Sequence, residues 1–226
     1  MKVLRPIPDS VKLLIFDLDG TLIDSRTDLV NSVNGMLRHF ARKELPAEVV
    51  ATYIGDGAPM LVRRALGDPV DDHYLQDALM FFLDYYREHK LDHTIVYDGI
   101  FPALDALRDG RVMSVLTNKP VNPARAIVEA LGLGKFFAQV YGGNSFPTKK
   151  PDPMGAVQLM REFGARPEET VMIGDSSNDV VTGRNTGMWT VGCTYGFSPH
   201  TLKQAPPDVL VDRPSELPQA VGSAAP

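Results

Sequence analysis

Short apolar runs recur along the chain, each the length of a strand. They are "VKLLIF" (11–16), "RVMSVLT" (111–117), "TVMIG" (170–174), "WTVGC" (189–193) and "DVLV" (208–211), with "AQVYGG" (138–143) a weaker sixth. Continuous apolar runs of this length predict strands buried on both faces, as in a parallel sheet. From about residue 100 onward, helical patterns separate them: "FPALDALRD", "NPARAIVEALG", "PDPMGAVQLMREFG" and "SNDVVTGRNTG". Proline near the start and glycine near the end bound several of these, as helix termini prefer. Such alternation predicts an α/β fold, a doubly wound parallel sheet with helices on both faces.

Residues 25 to about 90 break the rhythm. "SRTDLVNSVNGMLRHFARK" places Leu29, Val30, Val33, Met36, Leu37 and Phe40 at helical spacing. "GAPMLVRRALG" and "DDHYLQDALMFFLDYYREHK" also read as helices, and no strong strand appears between them. An all-helical block after the first strand predicts a second domain, residues 24–96, inserted into an α/β domain made of 1–23 and 97–226. Its hinges fall near Leu22–Ser25 and Asp92–Gly99. The tail "AVGSAAP" is expected to fray.

Composition narrows the class. The 226 residues suffice for one large domain or a core domain plus an insert. A net charge of -5 argues against a general nucleic-acid binder. The lone Cys193 rules out an intrachain disulfide framework and fits a reducing compartment. The apolar stretch before Asp17 is too short for a signal peptide, and nothing approaches the ~20 apolar residues of a membrane span. The expectation is a cytoplasmic monomer or homodimer with no nucleic-acid or membrane partner.

Polar residues cluster where the predicted strands end. The first ends in Asp17, Leu18, Asp19, Gly20 and Thr21, and the second in Thr117, Asn118 and Lys119. A later one ends in "GDSSND", which holds Asp175 and Asp179, and "TKKPDP" supplies Lys149 and Lys150. Ligands of open α/β sheets bind beyond the carboxyl ends of the strands, so a shared strand direction would gather these groups in one crevice. Carboxylates that close repel each other and are costly to desolvate unless something positive lies among them. Clustered carboxylates suit a hard divalent cation such as Mg²⁺, and no Cys or paired His stands nearby for zinc. Mg²⁺ with Lys150 would offset the repulsion and leave positive field for a phosphate, which backbone N–H groups of the Asp17–Thr21 turn could also cradle. Singly, each motif has a plainer reading: a "DG" turn, an Asp N-cap, solvated lysines, an ordinary strand threonine. An EF-hand loop is disfavoured, since its glycine belongs at the sixth position and here stands fourth. Four motifs in order, each after a strand, outweigh these readings.

Those motifs resemble the haloacid dehalogenase (HAD) superfamily of phosphatases. "DLDGTLID" matches its first motif, "LTNK" its second, the lysine before "PDP" its third and "GDSSND" its fourth. The resemblance implies a Rossmannoid HAD-like core with the helical insert as a C1 cap. It implies Asp17 as nucleophile and Asp19 as general acid/base. Thr117 would bind the phosphoryl oxygens, with Asn118 beside it, and Lys150 would hold Asp17. It further implies Mg²⁺ bound by Asp17, the Asp19 carbonyl and Asp175, with Asp179 direct or through water. In the insert, "YIGDGAPMLVRRAL" resembles the same segment of bacterial phosphoglycolate phosphatases, which makes 2-phosphoglycolate the expected small phosphorylated substrate. Gly55 and Gly57 would let backbone amides approach an anion, and Arg63 or Arg64 would pair with a carboxylate. The plainer reading, of equal weight, is that the glycines form only a turn and the arginines are solvated. Competing functions are a pyrophosphatase, a nucleotide or sugar phosphatase, a phosphomutase, and a receiver-like signalling module, in which Asp19 would have no task.

Overall fold

Leu13, Leu14, Ile15 and Phe16 are wholly buried, and they form the central strand of the molecule. The structure, a computed structural model, describes residues 1–222. In chain order its first elements are β1 (Lys2–Val3), β2 (Leu13–Phe16), β3 (Ile23–Asp24), α1 (Arg26–His39), α2 (Ala47–Ala51), α3 (Ala58–Ala65), α4 (Asp72–His89) and β4 (Ile95–Val96). There follow α5 (Ile100–Leu107), β5 (Val112–Leu116), α6 (Val121–Ala130), β6 (Gln139–Tyr141) and α7 (Met154–Phe163). The last are β7 (Thr170–Gly174), α8 (Ser177–Thr186), β8 (Trp189–Cys193), β9 (Val209–Val211) and α9 (Leu217–Ala220).

All six apolar runs are strands of one seven-stranded sheet, ordered β1-β9-β8-β7-β2-β5-β6. Every neighbouring pair is parallel except the edge pair β1 and β9. Successive side chains of a strand face opposite sides. Leu14 and Phe16 accordingly join one apolar cluster with Ile100 and Leu104, while Leu13 and Ile15 join another with Leu159 and Met172. Both faces of β2 are covered, which is why its sequence lacks polar alternation. Each such side chain contributes about 1.5–3 kcal/mol of burial free energy.

Strand order reverses at β2. The chain runs from β2 outward to β5 and β6, then returns across to β7, β8 and β9 on the other side. The crevice beyond the carboxyl end of β2 is therefore the topological switch point, where such sheets bind ligands. Register makes this specific. Phe16 pairs with Val115 on one side and Ile173 on the other, so the residues that follow in all three strands emerge at one edge.

Between β3 and β4 the regular elements are all helices, α1 to α4. The two-residue strands β3 and β4 pair antiparallel, Ile23 with Val96 and Asp24 with Ile95, and bring the ends of the helical segment together. α1 packs on α4, and Val33, Met36 and Leu37 of α1 share a buried cluster with Phe82 and Tyr86 of α4. At the other end of the chain, Ala220 and Val221 are buried. The frayed tail expected there does not begin before Gly222, and its last four residues lie outside the described ones.

Candidate active site

The turn after β2 carries the two carboxylates of the first motif. Asp17 follows Phe16 directly, and its N–H donates to the Ile173 carbonyl of β7 at 2.8 Å. Gly20 adopts φ 80°, and a Cβ there would lie 2.4 Å from Oδ2 of Asp175. Only glycine lets this turn pass so close to the carboxylate that ends β7.

Three carboxylates converge. One oxygen each from Asp17, Asp175 and Asp179 lie within 4.8 Å of one another, and all three residues are buried. Lys150 enters this cluster with its ammonium 3.0 Å from Asp17 Oδ1 and 2.6 Å from Asp179 Oδ1. The other Asp179 oxygen accepts hydrogen bonds from the N–H and hydroxyl of Ser176, forming a capping box at the start of α8. Asp175 Oδ2 accepts from the N–H groups of Phe197 at 2.6 Å and Ser198 at 3.0 Å. Each side chain is thus fixed before any ligand arrives.

The electrostatics of this cluster are unbalanced. Burial pushes Asp17 up to about 6, against the pull of Lys150, and Asp179 adds to the rise. Burial, then Asp179 and Asp17, push Asp175 up to about 8. Burial alone would lower Lys150, but Asp17 and Asp179 more than reverse that and raise it. With all three ionised, three carboxylates against one ammonium would leave a surplus of two negative charges in a buried space. A divalent cation would cancel that surplus, and an all-oxygen donor set suits a hard ion. The residues present therefore fit a divalent metal.

Asp19 points elsewhere. Its side-chain oxygens receive the Lys119 ammonium at 2.9 and 3.0 Å, and its Oδ1 also accepts from the Ser25 hydroxyl. Its carboxylate is not part of the three-carboxylate group. Asp17 and Asp19 both line a cleft between the end of the sheet and the helical segment. Thr117 and Asn118 line it from the loop after β5, and Gly55, Gly57, Phe82 and Tyr86 from the helical side. The cavity is small, about 50 Å³. That is room for about four waters at roughly 10–15 Å³ each.

The other residues singled out in the sequence divide. Asn118 donates through Nδ2 to the carbonyls of Gly55 and Lys150, both at 3.0 Å, and its buried Oδ1 has no partner. Gly57 has φ 82°, and a Cβ there would meet the Asn118 carbonyl at 2.8 Å, so this loop also needs glycine to come close. What Gly55 presents to Asn118 is its carbonyl oxygen, not the amide expected to face an anion. Arg63 and Arg64 are not brought to the cleft. Arg63 pairs with Asp68 at 2.9 Å, and Arg64 pairs with Asp56 at 2.6 Å and donates to the Tyr53 carbonyl. Helical spacing located α3 but did not show which way its arginines turn.

The sequence reading named Lys119 without giving it a role, and it gave none to Tyr86 or Asn178. Lys119 is buried, with its ammonium 4.6 Å from the centroid of the Tyr86 ring. Asn178 donates to Asp56 Oδ1 at 2.8 Å, and Lys149 donates to the Asp56 carbonyl, so the Gly55–Gly57 loop is held to the sheet side. A lysine placed just past a strand at the switch point was the available signal for Lys119. Tyr86 and Asn178 had none, because their roles depend on partners distant in the chain.

An acidic cluster at the switch point of a parallel sheet fits a hydrolase, and comparison with known proteins gives the class. Residues 14–193 match the family model described as haloacid dehalogenase-like hydrolase. The chain is 40% identical over 194 residues to the phosphoglycolate phosphatase of Pseudomonas putida, covering 83% of this chain and 71% of that one. It is 35% identical over 215 residues to the phosphoglycolate phosphatase of Haemophilus influenzae, covering 91% and 96%. The crystal structure of a predicted phosphoglycolate phosphatase from Haemophilus somnus 129pt superposes with a TM-score of 0.88 at 31% identity, over 93% of this chain and 97% of that one. The chain belongs to the haloacid dehalogenase-like hydrolase family. It is an enzyme, a phosphoric monoester hydrolase.

Proposed function

We propose that the enzyme hydrolyses 2-phosphoglycolate to glycolate and phosphate, with Asp17 as phosphoryl acceptor and Asp19 as general acid/base. The observation that carries this reading is the division of labour between two carboxylates one residue apart. Asp17 is held by Lys150 in the acidic cluster, while Asp19 is held by Lys119 and Ser25 outside it. In the first step an Asp17 oxygen attacks phosphorus in line, the ester P–O bond breaks, and an aspartyl-phosphate forms. Asp19 gives its proton to the departing alkoxide oxygen, then takes one from the water that attacks the aspartyl-phosphate. Phosphate leaves and Asp17 is regenerated. Thr117 supplies a hydroxyl to the phosphoryl oxygens, and Lys150 keeps Asp17 oriented. Magnesium held by Asp17, Asp175 and the Asp19 carbonyl, with Asp179 directly or through water, would neutralise charge on the transferring group.

A small cavity favours a small substrate, and the relatives named phosphoglycolate phosphatase support the choice. We also propose that residues 24–96 act as a cap, hinged on the β3–β4 ribbon, with the Gly55–Gly57 loop as its contact with the sheet side. The lone, buried Cys193 suits a reducing cytoplasm. Phosphate release from a panel of esters, with and without Mg²⁺, tests the reading. Preferential, Mg²⁺-dependent release from 2-phosphoglycolate is expected. Equal or better release from sugar or nucleotide phosphates would overturn the substrate.

A further inference from the structure

We infer that Lys119 and Tyr86 together form the receptor for a carboxylate on the organic end of the substrate. The inference rests on the phosphoglycolate reading and adds how that end is recognised. Lys119 is the only cation lining the cleft among the described residues. An ammonium has three donors, and two of them reach the Asp19 oxygens at 2.9 and 3.0 Å. The third is turned toward Tyr86, whose hydroxyl the same ammonium approaches. Tyr86, from α4, lies face-on to the same ammonium, 4.6 Å from ring centroid to Nζ. Its hydroxyl is buried, feels the Lys119 ammonium and has no acceptor for its own proton. A buried phenol proton without an acceptor is costly and uncommon, so a ligand oxygen is its natural complement.

The surroundings sharpen the choice of ligand. Leu29, Ile54, Phe82 and Leu83 line the cleft on the helical side and offer no side-chain hydrogen bonds. An uncharged substrate end would offer the Tyr86 proton and the Lys119 ammonium a weaker acceptor or none. A site built this way rejects the analogue that lacks the matching group, because its own polar groups are then stranded. The arginines that charge alone would nominate are engaged with Asp68 and Asp56. The carboxylate therefore falls to a lysine from the sheet side and a tyrosine from the helical side, and is gripped when the two meet.

The test compares kcat/KM for 2-phosphoglycolate and for 2-hydroxyethyl phosphate, which replaces the carboxylate by a hydroxymethyl group. The full chain with Mg²⁺ is used as wild type, Tyr86→Phe and Lys119→Met. Tyr86→Phe keeps the ring and should cut the ratio of kcat/KM for 2-phosphoglycolate to that for the hydroxyethyl ester about tenfold. Lys119→Met should cut the same ratio by at least about tenfold, on top of a loss for both esters from a loosened Asp19. If both variants lower the two substrates equally, the receptor is refuted, and Lys119 serves only to position Asp19. A wild-type enzyme that hydrolyses both esters without favouring 2-phosphoglycolate refutes the substrate reading instead. A wild type that favours it, with variants that keep the ratio, refutes the receptor alone.

Discussion

Asp28 holds Thr94 at two points: its Oδ2 accepts the Thr94 N–H at 2.8 Å and the Thr94 hydroxyl at 2.7 Å. The His93 N–H reaches the same carboxylate, 3.0 Å from each oxygen. Asp28 lies in the first turn of α1 and Thr94 just before β4, so this buried contact fastens the helical segment where it leaves and rejoins the sheet. Asp28→Ala would strand several donors and should cost about 3 kcal/mol. For a chain of this length that is a fall in Tm of roughly 6–12 °C, read by calorimetry. An unchanged Tm would show that the contact carries no stability.

A second prediction concerns metal and pH. Asp17 rises to about 6 and Asp175 to about 8 from an ordinary 3.8, so the folded state binds more protons than the unfolded one in that interval. Stability of the metal-free protein is thus full at low pH and falls as pH climbs from about 4 to about 8. A divalent cation takes the place of those protons. The rise in Tm on replacing a chelator by millimolar Mg²⁺ should therefore be small near about pH 5 and large near about pH 8. A gain that shrinks toward high pH would refute the assignment of the cluster as the metal site.

Closure over the cleft offers a third test. Asn178 is tied to the loop by its 2.8 Å bond to Asp56 Oδ1, and it is outside the acidic cluster. Asn178→Ala removes about one hydrogen bond, roughly 1 kcal/mol, and should lower kcat/KM about fivefold, mainly through KM. Tm should move little, since the residue is partly exposed. Kinetics identical to wild type would mean that this bond does not hold the loop during turnover.

How much of this was legible in the chain follows from what each feature depends on. The strands of the central sheet announced themselves because β2, β5, β7 and β8 are buried on both faces and so are apolar but for Ser114, Thr170 and Thr190. The convergence of Asp17, Thr117, Lys150 and Asp175 followed from strand direction and connection order, both of which the alternation of elements implies. The β3–β4 ribbon escaped, since two-residue strands have no periodicity to read. α2, five residues long, escaped for the same reason. Arg63 and Arg64 were chosen for their charge, yet their partners are set by the turn at Asp68 and by Asp56. Lys119 was visible only as part of "TNK". Its significance depends on Asp19 and Tyr86, which the fold brings to it from elsewhere in the sequence.

The central claim is that Asp17 accepts the phosphoryl group, and acid-quenched mass spectrometry during steady-state turnover of 2-phosphoglycolate tests it most directly. The wild-type peptide spanning Leu13–Asp24 should carry one phosphoryl group on Asp17, lost again when substrate is exhausted. Asp19→Asn, impaired in the later proton transfer by about 10²–10⁴-fold, should change how much of it accumulates. Asp17→Asn should show none and no turnover. Phosphorylation of another residue, or near-normal turnover by Asp17→Asn, would contradict the account.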